Sequence, residues 1–362
     1  MVIATLFGLA IYSIIITALL LRKSVVTNTA LQHSPPISSQ QSEQQPTQEQ
    51  LAAALKQQTR FQEKADEALR LTQTFQKFVP RQFVEHFAKH GESSLELGRA
   101  DEDDVAILFC DIRGFTGLSE QMKPQELMKF LNSYFLRMND PIHQNGGFID
   151  KFIGDAIMAL FDHPGGKPAE KAGDALNAAL DLHRALAMYN QHRANSGYSA
   201  IKIGIGIHYG AVIIGTVGSD DRMDTTVIGD SVNIASRLEA LTSKYAADII
   251  ISEQLLATAE HYDVKARMLD WVKVKGRRAP LKIFEVLSHL PIDVQTRKMA
   301  SSRLINQSIE ARIEQRWTDA LDYLQQALIQ VPEDRLIIHH IEVCHRYRAL
   351  ELPADWDGAL AH

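Results

Sequence analysis

Cysteine is almost missing from this chain: 362 residues carry two, Cys110 and Cys344. Two distant thiols build no disulfide framework, and no CxxC pair is available for zinc or redox work. A basic excess is missing as well. Lys and Arg number 38 against 44 Asp and Glu, a formal net charge of −6, so no nucleic-acid partner is expected. The 14 histidines form no HExxH pair. What is present is the balance of a folded protein, 45% hydrophobic and 23% charged residues, which excludes a wholly disordered chain.

Charge is also absent from Val2 to Leu21 (VIATLFGLAIYSIIITALLL). As a helix this run would be about 30 Å long, the thickness of a bilayer core. Arg22 and Lys23 follow at once and place the C-terminal side in the cytoplasm. Residues 1–23 are therefore expected to be a transmembrane helix at the plasma (inner) membrane, contacting the lipid bilayer through residues 2–21. A cleaved signal peptide would need a positive leader and a shorter apolar run. Residues 24–50, rich in Gln, Ser and Pro, read as a flexible tether. Residues 51–100 read as a helical linker. Its helix over 51–78 repeats Ala54, Phe61, Ala68 and Phe75 every seven residues, a weak heptad interrupted on the adjoining seam by Gln58 and Thr72. Pro80 in FVPRQF marks a break.

Residues 101–287 carry the strongest folding signal. Val105–Cys110 reads as a buried strand, after a solvated acidic run at Asp101–Asp104. A helix follows over Pro124–Asn139, then a strand pair, Phe148–Ile153 and Ala156–Phe161. Ala169–Asn195 is a long helix. Ile201–Tyr209 and Val212–Val217 read as two strands turning at Tyr209-Gly210, followed by a helix at Ser231–Tyr245 and strands at Asp248–Ile251 and Leu281–Val286. The order implies an α+β fold, a mainly antiparallel sheet with helices on one face. Residues 288–362 read as a helical tail, with Ala320, Leu324, Ala327 and Pro332 at the packing positions of a single tetratricopeptide-like unit. One unit cannot bury its own faces, so it packs on the preceding domain or on a protein partner.

Asp111 closes the apolar strand, and backbone N–H groups from Ile112 to Thr116 follow it toward a short helix, an arrangement suited to an anion. Asp155 lies between two strands at Ile153-Gly154-Asp155. Either aspartate alone reads as a turn residue. Together at neighbouring strand tips they form a hard-cation site of the kind that holds Mg²⁺ with substrate phosphates. Asn233 and Arg237, four apart, share a helix face and can orient a sugar and neutralise a phosphoryl group. The bland reading is a capped helix, with Asp230 or Ser231 as the cap.

Three segments, Phe109-Cys-Asp111-Ile-Arg-Gly-Phe-Thr116, Asp150-Lys151-Phe-Ile-Gly-Asp155-Ala-Ile-Met-Ala159 and Thr226-Val-Ile-Gly-Asp230-Ser-Val-Asn233-Ile-Ala-Ser-Arg237, resemble the catalytic domain of the class III adenylyl and guanylyl cyclases. The resemblance implies a ferredoxin-like catalytic domain that turns ATP into 3′,5′-cyclic AMP and pyrophosphate. It implies two Mg²⁺ or Mn²⁺ held by Asp111, Asp155 and the carbonyl of Ile112. Arg237 would stabilise the α-phosphoryl charge and Asn233 would position the ribose. Lys275 would contact the triphosphate, and the backbone N–H groups of Arg113, Gly114, Phe115 and Thr116 are the substrate-binding groups already read as facing an anion. Lys151 matches the purine-contacting lysine of adenylyl cyclases and Thr226 the second base-reading position, Thr in one large subgroup. An ammonium donates to adenine N1, whereas guanine presents an N–H there.

The family's sites lie at a dimer interface, so a homodimer is implied. On this reading Asp111, Asp155 and Lys151 come from one subunit, and Thr226, Asn233 and Arg237 from the other. The alternatives are a guanylate cyclase and a catalytically inactive cyclase-like signalling module. Asn145-Gly146-Gly147-Phe148-Ile149-Asp150 is only faintly similar to a diguanylate cyclase turn, lacking the acidic pair after the glycines.

Overall fold

A computed structural model describes residues 48–75, 100–163, 166–219, 221–274, 279–353 and 355–362. The chain divides into two units, Met1–Val79 and Pro80–His362. In the first, one helix (α1) spans Gln48–Phe75, three residues ahead of the expected bounds at each end. Among its described side chains, Phe61 is 66% exposed and Leu69 57%. The expected anchor over 2–21, the tether up to residue 47 and the FVPRQF break lie outside the described residues. Among the described residues, no helix is long and apolar enough to cross a membrane.

The second unit runs β1 (Ala100–Ile112), α2 (Phe115–Ser119), α3 (Pro124–Gln144), β2 (Phe148–Ile153), β3 (Ala156–Phe161), α4 (Pro168–Asn195), β4 (Ile203–Ser219), β5 (Arg222–Ile228), α5 (Asp230–Lys244), β6 (Ile249–Ser252), α6 (Glu253–Thr258), β7 (Ala266–Lys273), β8 (Leu281–Val286), α7 (Ile292–Ile313), α8 (Trp317–Gln330), α9 (Arg335–Arg348) and β9 (Leu360–Ala361). The strands form one sheet in the order β2-β3-β1-β4-β6-β8-β7-β9, with β5 attached to β4. All pairs are antiparallel except β4–β6 and β7–β9.

The two largest helices of the sheet layer begin with the same grammar. Pro124 and Pro168 supply a fixed φ at the first helical turn, and Glu126 and Glu170 accept hydrogen bonds from the Lys123 and Lys167 N–H groups at 3.2 and 3.0 Å. Both helices pack on the face of β1 that carries Ala106, Leu108, Cys110 and Ile112. Val105, Ile107 and Phe109 point the other way, into a cluster with Ala235 of α5. Helices therefore cover both faces, not one. This is also why Val105–Cys110 is a continuous apolar run: a strand buried on both sides has no polar alternate positions.

The expected turn at Tyr209-Gly210 does not exist. β4 is a single 17-residue strand, paired with β1 from Ile203 to Gly215. Its glycines mark close approach instead of reversal. A Cβ at Gly206 would lie 2.1 Å from the Glu239 backbone nitrogen, and one at Gly210 would lie 2.7 Å from Ser231 Oγ, so α5 sits almost on the backbone of β4. Ser231 donates to the Ala211 carbonyl at 2.8 Å, and Gly229 holds the N-cap position, so neither Asp230 nor Ser231 caps this helix.

The acidic run lies inside the strand and not before it, and it stays largely open to water, with Glu102 and Asp104 exposed. Asp101–Asp104 belong to β1, and Asp103 takes an ion pair at 3.1 Å from the buried Lys171, which donates to the Asp104 carbonyl at 2.9 Å and pairs with Asp162 at 2.9 Å.

The tail shares a core with the sheet. Ala320, Leu324 and Ala327 are fully buried in a cluster that includes Leu238 of α5, Leu269 of β7 and Ile283 of β8. It is not wholly helical: β9 extends the sheet edge along β7, and the His362 N–H reaches the Lys273 carbonyl at 2.9 Å. Buried charge fixes the docking. Arg267 pairs with Glu285 at 2.7 Å and with Asp334, and Arg312 of α7 pairs with Asp270 of β7. Asp270 also accepts from Tyr245 Oη at 2.8 Å, at the end of α5. Although burial opposes it, Arg312 holds the Asp270 carboxyl down to about 2.

Removing one partner of such a pair strands the other charge in the interior. Arg312→Met is expected to cost about 3–5 kcal/mol in urea unfolding. The sign of the pH effect follows from the lowered carboxyl. The pair's stabilisation is present above the ordinary carboxylate range near pH 4 and is lost as pH falls toward 2. Acid titration of unfolding should show this component in the parent chain and not in Arg312→Met.

Candidate active site

Asp111 is the penultimate residue of β1, and Asp155 stands just after the turn between β2 and β3. The turn needs Gly154, whose φ of 65° would strain a residue with a side chain. It delivers Asp155 to the end of β1, where Oδ2 accepts the Ile112 N–H at 3.2 Å. Sequence reasoning brings these two aspartates together, and so does the structure.

Their electrostatics are unfavourable as they stand. Burial, with the neighbouring Asp111 carboxylate, pushes the Asp155 carboxyl up to about 7. Asp111 Oδ1 is buried without a hydrogen-bond donor. Two crowded carboxylates, one with an orphaned oxygen, fit a hard divalent cation bound by oxygen ligands. Among the described residues no three His, Cys, Asp or Glu side chains are grouped to hold one ion.

Glu239 was missed by the sequence reading. Asp111 is paired in the ladder with Gly204, and a Cβ there would come within 2.8 Å of Glu239 Oε1. Burial and then the Asp111 charge push this carboxyl up to about 7 as well. The only signal in the sequence was its place two residues after Arg237 on a helix.

Of the five backbone N–H groups offered to an anion, two are engaged elsewhere. Ile112 N–H goes to Asp155, and Arg113 N–H to the Lys202 carbonyl at 2.9 Å. Gly114, Phe115 and Thr116 remain at the start of α2. The Arg113 guanidinium donates to the carbonyls of Ile203, Thr242 and Ala247, clamping β4 to the end of α5. Lys275 lies outside the described residues.

A second cluster forms on the other flank of the β2–β3 hairpin. Lys151 Nζ donates to Thr226 Oγ1 of β5 at 2.8 Å. This corrects the expected division between subunits: Lys151 and Thr226 meet within one chain. The physical reason is the β5 arm, a strand the sequence reading lacked, which folds back along β4. The same hairpin thus turns Lys151 toward the arm and Asp155 toward β1. Asn233 is exposed and Arg237 half-buried on α5, and no ion pair joins Arg237 to Asp111 or Asp155 of its own chain.

Residues 98–288 match the sequence model of the adenylate and guanylate cyclase catalytic domain. An adenylate cyclase of Anabaena cylindrica is 44% identical over 221 residues, 59% of this chain and 42% of that protein. The terminal-differentiation-specific adenylate cyclase of Dictyostelium discoideum is 33% identical over 287 residues, 78% of this chain and 13% of that protein. The chain thus spans less than half the length of either relative. A solved bacterial light-regulated adenylyl cyclase shares the fold, with a TM-score of 0.53 at 24% identity over 69% of this chain and 68% of that one.

The crowding of Asp111 and Asp155 gives a prediction readable without activity. A carboxyl raised in the folded state loses stability as pH climbs from its unfolded value near 4 to about 7. Without divalent cation, Asp155→Asn should therefore melt higher than the parent at pH 8, with the difference vanishing near pH 4. The rise in melting temperature that Mn²⁺ gives the parent should be lost in the variant.

Proposed function

This chain belongs to the adenylate and guanylate cyclase catalytic domain family, the class III nucleotide cyclases, and from that premise we propose that it is an adenylate cyclase acting as a homodimer. The observation that carries this reading is the joint presence of the Asp111–Asp155 carboxylate pair and the Lys151–Thr226 pair. One binds phosphate through a cation and the other reads a purine.

Asp111, Asp155 and the Ile112 carbonyl would hold two divalent cations, Mg²⁺ or Mn²⁺, whose chemistry is to acidify the ribose 3′-hydroxyl and neutralise phosphate oxygens. The N–H groups at Gly114, Phe115 and Thr116 bind phosphate oxygens, and Lys275 contacts the triphosphate. Asn233 holds the ribose so that its 3′-oxygen lies in line with the α-phosphorus. Arg237 meets the charge that develops on the α-phosphoryl group as pyrophosphate leaves. Lys151 donates to adenine N1 and Thr226 accepts from the adenine amino group.

Two features support a site shared between protomers. Asn233 is exposed and Arg237 half-buried on α5, and among the described residues Arg237 has no ion pair with Asp111 or Asp155 of its own chain. The flanks of the hairpin and arm expose apolar side chains, Phe152 at 49%, Ile153 at 52%, Ile213 at 45% and Ile228 at 49%, as a face awaiting a second copy would. We read Asp111 and Asp155 as one protomer's contribution, and Lys151, Thr226, Asn233 and Arg237 as the other's. The uncharged run from Val2 to Leu21, followed by Arg22 and Lys23, supports a single membrane span with the catalytic domain in the cytoplasm. The exposed seam of α1 supports pairing of the linkers.

The test is an assay of the purified chain with ATP or GTP and Mg²⁺ or Mn²⁺, with products separated by chromatography. Cyclic AMP from ATP, abolished in Asp111→Ala, is expected. Arg237→Ala should lower kcat by about 10²–10³. Cyclic GMP as the main product would select the guanylate cyclase alternative, and no product from a folded dimer would select the inactive module. Mixing Asp155→Ala chains with Arg237→Ala chains should recover part of the activity, because the mixed dimer keeps one intact site. Verified heterodimers with no recovery would refute sharing.

A further inference from the structure

We propose that Asp150 is a positioning residue for base recognition: its buried carboxylate, together with Thr226, fixes the direction in which the Lys151 ammonium offers its remaining proton to the purine. The proposal rests on Lys151 and Thr226 being the base-contacting pair.

Asp150 is an unusual residue for a strand. Its side chain has no exposed surface, and neither carboxylate oxygen has a hydrogen-bond partner. A β-bulge between Ile149 and Lys151 puts it there, since the β2–β3 register skips Asp150. The bulge breaks the alternation that would send neighbouring side chains to opposite faces, and Lys151 Nζ comes to 3.5 Å from Asp150 Oδ2. A buried carboxylate with no donor is costly unless a cation compensates it. Among the described residues, Lys151 is the cation in ion-pair reach of Asp150.

The ammonium has three N–H groups. One donates to Thr226 Oγ1 at 2.8 Å, and a second direction is drawn to Asp150 at 3.5 Å. The third is then determined, and the Lys151 side chain, 34% exposed, leaves it on the open side. Direction matters because of the purines themselves. Adenine offers an acceptor at N1. Guanine carries a hydrogen there, but its O6 acceptor is adjacent. A lysine free to swing would reach O6 and bind either base. A lysine held by two neighbours keeps the N1 geometry and disfavours guanine, so selectivity comes from restraint as much as from charge.

The groups facing Asp150 also set when the restraint acts. Burial pushes its carboxyl up to about 6, Lys151 pulls it back and Asp224 of β5 adds to the rise. The carboxylate is therefore ionised at neutral pH and protonated on mild acidification.

The experiment uses the full chain and measures dissociation constants for ATP and GTP by competition. Asp150→Asn keeps the shape and removes the charge. It should narrow the ATP-over-GTP preference by about tenfold, chiefly through weaker ATP binding, and Asp150→Glu should restore part of it. In the parent chain the same preference should fall as pH drops through about 6. The phosphates of the two nucleotides titrate alike, so they cancel in the ratio. A folded Asp150→Asn with the parent's ratio, or a parent ratio flat from pH 8 to 5, overturns the proposal. The pH series decides alone if the variant does not fold. Lys151→Ala separates the two readings. If it leaves the ratio unchanged, the base-contacting pair itself is wrong. If it collapses the ratio while Asp150→Asn does not, only the role of Asp150 is wrong.

Discussion

The β1–β4 ladder is the constraint on which the rest depends. It runs in register from Ala100↔Gly215 to Ile112↔Ile203, the whole length of β1. One face of β1 is closed by α3 and α4 and the other meets α5, so every side chain from Val105 to Cys110 is withdrawn from water. A strand so confined cannot slip by one residue without turning each face into the other's packing. The position of Asp111 at its end is thereby fixed by apolar packing ten or more ångströms of ladder deep, on the order of 3.3 Å per residue. The carboxylate is held where its own charge would not choose to be, against Asp155 and near Glu239.

Helix α5 is the second consequence of that ladder. Glycines in β4 let it lie against the strand at backbone distance, and Arg113 ties the carbonyls of Thr242 and Ala247 to that of Ile203. The far end of the helix is gripped by Tyr245, Asp270 and Arg312, so the C-terminal helices hold the element that carries Asn233 and Arg237. The tail, read from the sequence as packing on the preceding domain or on a partner, is in physical terms a brace on α5. The price is a set of buried ion pairs, whose geometry is specific where apolar packing alone would tolerate sliding.

The β2–β3 hairpin shows how one short element serves two chemistries. Its tip turns through Gly154 and sends Asp155 to the end of β1, while its bulge brings Asp150 and Lys151 beside Thr226. Three residues separate Lys151 from Asp155 in the chain, but their partners belong to different strands. In the proposed dimer, that separation would let one subunit hold cations for one site and read the base for another.

By itself the sequence determined the elements whose information is local. Apolar runs located β1, β2, β3 and β8, helical spacing located α3 and α4, and three motifs singled out Asp111, Asp155, Lys151, Thr226, Asn233 and Arg237. The rest depended on contacts between distant segments. Gly210 reads as a turn because glycine is common in turns, and only the proximity of Ser231 shows it to be a place where a helix touches a strand. Asp101–Asp104 read as a run ahead of the strand, and only the structure puts them inside β1, with Lys171, nearly seventy residues on, between Asp103 and Asp162. Arg113 read as an anion contact through its backbone N–H, but that N–H goes to the Lys202 carbonyl, and the guanidinium bonds carbonyls of β4, of α5 and of the loop after α5. Asp150 and Glu239 carried no pattern of their own, since a carboxylate's role is set by what removes its water and what charge stands beside it. Periodicity records which face a residue occupies; only the tertiary structure decides what waits on that face.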